Sequence, residues 1–333
     1  MSLDQELLTL RPGNPAHGGS VVAREEGGRV VFVHYALPGE TVVARPRGRR
    51  GGAAFASAEK VLEASPDRVP PRCPHFGECG GCHWQHASYP RQLDFKLKVV
   101  RDIWSRARLH LPDETSVTGM EDPWRYRIRG EFEAIYRPGG FDFGFHRLRS
   151  HSVLPIRTCP IHHQRIEDGL AAFREAVTKL GVADLRHLLL TAEPDGPGLL
   201  WQARVDGRHP PGRAGTGWRQ ELGLAAAELI PDAVLLDDSM DLQFWDLRFR
   251  VRNDTFIQAN HRQMPVLYRT ALDMLSLARS DRVLDLYSGL GTISHAAARE
   301  SGSVTAVEEN PRAVRLARLA SRINEVENIE FVT

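Results

Sequence analysis

The tightest constraint on the fold of this chain is a strict alternation of helix-like and strand-like patterns between Met264 and Val332. Apolar residues over Met264–Ala278 recur at helical spacing, Arg282–Leu286 is a short apolar run that reads as a buried strand, and Ile293–Arg299 returns to helix. Ser303–Val307 predicts a second strand. A helix then covers Pro311–Glu325, with Asn310 as its cap and Pro311 at its first position, and Glu330–Val332 begins a third strand. Strands separated by single helices pair in parallel through crossovers, so the segment predicts the opening half of a doubly wound α/β sheet.

The first strand runs through Asp285 into Tyr287-Ser288-Gly289-Leu290-Gly291-Thr292. Gly289 and Gly291 let a ligand approach the turn closely, and the following helix start offers N–H groups to an anion. The phosphate-binding dinucleotide fingerprint fits poorly, because His295 and nearby alanines occupy its third glycine position. A ligand carboxylate suits the turn better than a pyrophosphate. Glu308 closes the second strand, where an acidic side chain can accept both hydroxyls of a ribose. Carboxylate, ribose and adenine together describe S-adenosylmethionine. The alternative is a glycine turn with a surface glutamate, as any α/β protein could carry.

The chain has four cysteines: Cys73, Cys79 and Cys82 lie within ten residues, and Cys159 is far downstream. Four thiols suit one tetrathiolate site, and the glycines between Cys73 and Cys82 allow the backbone to fold closely around a bulky centre. Disulfides are rare in reducing compartments, so a metal or cluster is the better use of the group. Zinc sites usually show two Cys-x2-Cys pairs, and only Cys79 and Cys82 form one. The spacing leaves zinc and iron–sulfur open.

At 333 residues the chain exceeds one ordinary core. Ser20–Arg24, Arg29–His34 and Thr41–Arg45 read as short strands of a small β-barrel, which Gly48, Gly51 and Gly52 interrupt, and a proline-rich boundary follows near residue 66. Helices are expected over Arg91–Leu109 and Arg165–Leu180, with a strand at Arg186–Ala192, in a mixed central region. No apolar run is long enough to span a membrane and the start does not resemble a signal peptide, so a cytoplasmic protein is expected. The net charge of +1 excludes a polycation and leaves nucleic acid to local patches. Arg45, Arg47, Arg49 and Arg50 cluster, and Arg125, Arg127 and Arg129 recur with period two, which on a strand shares one face. Either group alone reads equally as solvated surface.

Together these residues resemble the RNA (uracil-5-)methyltransferases that carry a [4Fe-4S] cluster. His17–Arg24, Val30–Val33 and Ala36–Glu40 look like that family's OB-like TRAM barrel, Phe256-Ile-Gln258-Ala-Asn260 like its Phe-x-Gln-x-Asn motif, and Asp285–Gly291 like its first methyltransferase motif. The resemblance implies a multidomain α/β protein: a TRAM-like RNA-binding barrel over 1–66, a central α+β domain over 67–250 with the cluster cysteines, and an incomplete Rossmann-like class I methyltransferase domain over 251–333. It implies Gln258, Tyr287, Thr292 and Glu308, with Gly289 and Gly291, as S-adenosylmethionine contacts, although Thr292 stands where relatives often carry asparagine. Cys73, Cys79, Cys82 and Cys159 become the [4Fe-4S] ligands, and Arg45, Arg47, Arg49, Arg125, Arg127 and Arg129 the RNA contacts. The implied partner is RNA, 23S rRNA first and tRNA second, bound by a monomer.

Uracil C5 is a weak nucleophile, and in that family a cysteine thiolate adds to C6 so that C5 can attack the methyl sulfonium. In relatives that cysteine, its base and an Asp-Pro-Pro motif follow the third strand of the sheet. This chain ends at Thr333 as that strand begins, and on the cluster reading all four of its thiols are committed. The 333 residues are therefore expected to be a truncated and catalytically silent copy. The competing readings are a non-catalytic protein that binds RNA and cofactor, and a zinc-stabilised nucleic-acid module.

Overall fold

Val21 and Ala23, Val31 and Val33, Val42 and Ala44, and Ala54 and Ala56 are buried pairs two residues apart, so four neighbouring strands each turn one apolar face inward. In the computed structural model, which describes residues 6–137, 140–182, 185–205 and 217–333, these belong to the sheet β1 (Leu8–Leu10), β2 (Pro15–Ala16), β3 (Ser20–Arg24), β4 (Val30–His34), β5 (Thr41–Arg50) and β6 (Ala53–Glu63). Its order is β1-β5-β6-β4-β3-β2, antiparallel except for β4 beside β6. The core of this sheet consists almost wholly of its own residues, which requires the sheet to curl around them. The expected break at Gly48 is a correction: β5 continues to Arg50, because a bulge between Pro46 and Gly48 absorbs the irregularity while the strand stays paired to β6. Gly51 and Gly52, with φ of 56° and 79°, form the turn.

Below the sheet Glu40 is fully buried as a carboxylate, accepting from Leu37 N–H at 2.8 Å, Ser65 N–H at 3.2 Å and the Arg68 guanidinium at 2.5 and 2.7 Å. Burial pushes its pKa up, but the Arg68 and backbone donors outweigh that and hold it below the usual range. Helix α1 spans Tyr89–Arg106, with Pro90 in its first turn. It stops short of Leu109, and Arg108 takes a left-handed φ of 57° just beyond it. Phe95 of α1 is buried with Leu37, Ala87 and Trp84.

The chain divides into two units, one running to Pro123 and including Phe145–Leu154, the other holding Trp124–Gly144 and Pro155–Thr333. The remaining elements are β7 (Arg129–Arg137), β8 (Gly140–His146), β9 (Val153–Pro155), α2 (Gln164–Leu180), β10 (Leu185–Ala192), β11 (Gly198–Val205), α3 (Trp218–Leu229), β12 (Val234–Leu236), β13 (Ser239–Phe244), β14 (Leu247–Arg252), α4 (Gln263–Leu275), β15 (Arg282–Leu286), α5 (Thr292–Ala298), β16 (Ser303–Val307), α6 (Pro311–Ile323) and β17 (Ile329–Val332). A mixed six-stranded sheet runs β12-β11-β10-β7-β8-β9. Helix α2 covers it closely because Gly169 has no side chain: a Cβ there would lie 2.5 Å from Leu199 Cδ2.

The last sheet is β15-β16-β17, with both pairings parallel. Its core joins that of the β13–β14 hairpin through Phe249, Val251, Leu272, Ala297, Val304 and Ala320. Phe249 is buried and meets the His295 ring edge-on at 5.2 Å, and truncating a phenylalanine in such a place costs about 3–5 kcal/mol. Among the described residues, no helix is long and apolar enough to cross a membrane.

Candidate functional site

β15 delivers the chain to Tyr287, whose φ is 61° and whose surface is 87% exposed, at the carboxyl end of the parallel sheet. Ser288 N–H then donates to Val307 O at 3.0 Å, and Gly291 N–H to Ser288 O at 2.8 Å, which closes the turn. Gly291 has φ 73°, and a Cβ on it would lie 3.1 Å from His295 Nδ1 and 3.2 Å from Phe331 Cε1. Both the dihedral and the close approach favour glycine there. The Glu308 carboxylate accepts from Gly289 N–H at 2.9 Å and Asn310 N–H at 2.8 Å. It is thereby fixed beside the glycine turn at the end of β16, the edge where open α/β sheets hold their ligands.

Three side chains missed by the sequence reading complete this edge. Ser294 donates to Asp285 Oδ2 at 2.6 Å, while burial pushes the Asp285 pKa up. His295 is fully buried, with Nδ1 2.6 Å from Gly291 O and Nε2 3.0 Å from Ser321 Oγ. Because Gly291 O can only accept, Nδ1 carries the proton and Nε2 receives the serine hydroxyl. Burial lowers the His295 pKa and keeps the ring neutral. Tyr268 of α4 has its pKa raised by burial; its phenol is hydrogen-bonded to Gln258 and feels the Asp285 charge. Thr292 is half-buried in the first turn of α5. The structure thus gathers Tyr287, Gly289, Gly291, Thr292 and Glu308 around one sheet edge, and ties Gln258 to Tyr268 of α4.

The four cysteines are half-buried and form no disulfide. In the first unit, turns from Phe76 N–H to Cys73 O at 3.2 Å and from Cys79 N–H to His75 O at 2.9 Å coil the segment, and Gly80 N–H donates to His146 O at 3.0 Å. A ladder of rings fixes it further: Tyr35 to Phe76 at 5.5 Å, Phe76 to His86 at 5.2 Å and Trp84 to His86 at 5.9 Å. Burial raises the Cys79 thiol pKa. Cys159 lies in the second unit, its N–H donating to Glu167. Among the described residues, no three His, Cys, Asp or Glu side chains are gathered to hold a metal. Thiolates are chemically suited to a metal or cluster.

A family model described as "Methyltransferase small domain" matches residues 268–333, the stretch containing the glycine turn and Glu308. The chain is 30% identical to a protein named as an RNA methyltransferase in Halalkalibacterium halodurans, with 95% of this chain and 74% of that one covered. It is 32% identical to the 23S rRNA (uracil(1939)-C(5))-methyltransferase of Xylella fastidiosa, again covering 95% and 74%. The chain belongs to the RNA methyltransferase family. Among solved structures, the fold of this family member is similar to Pyrococcus abyssi tRNA (uracil-54, C5)-methyltransferase in complex with S-adenosyl-L-homocysteine, with TM-score 0.69, 19% identity, and 98% of this chain and 79% of that one covered.

In this RNA methyltransferase family member the predicted arginines divide. Arg47 and Arg49 are exposed at the end of β5, where Arg47 Nε donates to Ser57 Oγ at 3.2 Å, while Arg45 is half-buried and paired with Glu59. The expected single row of Arg125, Arg127 and Arg129 is not formed. Arg125 has φ 55°, outside any strand, and pairs with Glu167 at 2.6 Å. Arg129 turns inward, donating to Thr191 Oγ1 at 2.9 Å, Arg252 O at 3.1 Å and Thr255 O. Burial pushes its pKa down to about 10, so it stays charged at neutral pH as an internal clamp. Arg127 remains exposed.

Proposed function

We propose that this chain binds S-adenosylmethionine at the carboxyl edge of β15 and β16 and serves C5-methylation of a uridine in RNA, with 23S rRNA the first candidate and tRNA the second. The observation that carries the reading is the Glu308 carboxylate, locked by Gly289 and Asn310 N–H groups beside the glycine turn. Its remaining lone pairs suit the two ribose hydroxyls, and the exposed Tyr287 ring offers an apolar wall to the cofactor. On this reading Gln258, hydrogen-bonded to Tyr268, is a further cofactor contact, and Thr292 opens the helix that faces a ligand carboxylate. Bound S-adenosylmethionine would supply an electrophilic methyl group. The relatives named as uracil-C5 methyltransferases support the uridine assignment.

The same reading takes residues 1–66 as a TRAM-like RNA-binding barrel, 67–250 as a central domain and 251–333 as methyltransferase domain, in a cytoplasmic monomer. Arg47, Arg49 and Arg127, exposed in the structure, are its RNA contacts. Cys73, Cys79, Cys82 and Cys159 are proposed as [4Fe-4S] ligands from the chemistry of four thiols and the family resemblance, and no chemical step is routed through that group. With those four thiols so used, the nucleophile that adds to uracil C6 is not among these residues.

The test incubates the protein with methyl-labelled S-adenosylmethionine and a 23S rRNA transcript, measuring retention of each ligand and label transfer. Retention of both without transfer by these 333 residues is expected; retention of neither refutes the reading. Iron and sulfide assays after anaerobic purification decide the cluster, and bound zinc without iron would overturn it.

A further inference from the structure

The first unit carries a cleft of about 690 Å³ between α1 and the β2–β3 side of the curled sheet. Five cations line it, Arg11, Arg24, Lys98, Arg101 and Arg106, against one anion, Asp102. That concentration stands out in a chain whose net charge is +1. The existing partners are weak competitors for these cations. Arg11 meets Glu63 at 3.3 Å, Lys98 meets the half-buried Asp94 at 3.2 Å and Arg106 meets Asp102 at 2.7 Å, each cation at an exposed position. Arg101 donates to Asp113 O at 2.9 Å, and Arg24 to Gly28 O at 3.0 Å. Exposed ion pairs are worth roughly 0–1 kcal/mol and yield readily to a more highly charged partner.

We infer that this cleft is a phosphate-backbone site for RNA flanking the target nucleotide. The inference rests on the RNA-methylation reading and adds to it a surface that the arginine clusters do not include. Lys98 and Arg106 are separated by about 12 Å along α1, roughly three nucleotide steps along a helical strand. Guanidinium forks match phosphate oxygens in pairs. No aromatic side chain is among the described residues lining the cleft. It therefore lacks both a base-stacking platform and the aromatic anchors typical of protein interfaces. Its chemistry recognises backbone rather than sequence.

The test is fluorescence anisotropy with a labelled uridine-containing stem–loop RNA over a series of salt concentrations, comparing the intact chain with the triple variant Arg24→Gln, Lys98→Gln, Arg101→Gln. Three lost phosphate contacts lower the slope of log affinity against log salt by about 2–3, and weaken binding roughly tenfold or more. S-adenosylhomocysteine affinity and melting temperature should be unchanged, since the substituted residues are solvent-facing and outside the cofactor edge. An unchanged slope in the variant overturns this inference alone. No RNA binding by the unaltered protein overturns it together with the RNA-methylation reading.

Discussion

Arg129→Met separates a structural arginine from an RNA-binding one. The guanidinium donates to Thr191 Oγ1, Arg252 O and Thr255 O in the interior of the second unit. Methionine fills much of the same volume but offers no donor. Arg252 O keeps the Thr255 hydroxyl at 2.7 Å, so the loss falls chiefly on Thr255 O and on the Thr191 hydroxyl. Leaving a buried acceptor unpaired costs about 1–3 kcal/mol, and charge-assisted bonds lie at the upper end, so the total is about 3 kcal/mol. For a unit of this size that lowers the melting temperature by about 6–12 °C. Thermal melts followed by circular dichroism, with RNA anisotropy alongside, provide the assay. Arg127→Gln, on the exposed neighbour, should leave the melt unchanged and weaken RNA binding. Lowered RNA affinity with an unchanged melt in Arg129→Met would refute the clamp.

Three further outcomes are expected. Burial, with the Arg149 charge for His34 and the Arg68 charge for His86, pushes both histidines down to about 4. The unfolded chain takes up protons below pH 6.5 that the folded chain refuses, so stability is full above that pH and falls toward pH 4, by about 1.4 kcal/mol per unit for each histidine; melts at pH 7.5 and 5.5 that coincide would contradict this. Arg68→Ala strands the buried Glu40 carboxylate and should cost about 3–5 kcal/mol in urea unfolding, partly recovered by Glu40→Gln in the same chain. Gly291→Ala forces a side chain into a left-handed residue against His295 and Phe331; calorimetry should show S-adenosylhomocysteine affinity reduced by tenfold or more with only about 1–2 kcal/mol lost in stability, and unaltered affinity would dissociate the turn from the cofactor.

The β15–α5–β16–α6–β17 order was legible because each element carries its own local signal. Asn310 accepts from Arg312 N–H at 3.0 Å as a cap should, and the apolar strands alternate with helical spacing. Gly48 misled because strand continuity depends on a partner: β6 is long enough to hold β5 across a bulge, and no local residue announces that. The arginine row failed for the same reason. Period two at 125, 127 and 129 looks like strand, yet β7 begins only at Arg129, whose fate is set by carbonyls more than 120 residues away. Glycine turn and Glu308 were readable from the α/β pattern. The Gln258–Tyr268 bond and the His295 bridge between Gly291 and Ser321 join distant segments and become visible only in three dimensions.

The most direct test of the central claim is isothermal titration of S-adenosylhomocysteine into the unaltered protein and into Glu308→Ala. Saturable one-to-one binding by the unaltered chain is expected, reduced by a factor of ten or more in the variant while the fold persists. Equal binding by both, or none by the unaltered chain, would contradict a cofactor site at the Glu308 edge.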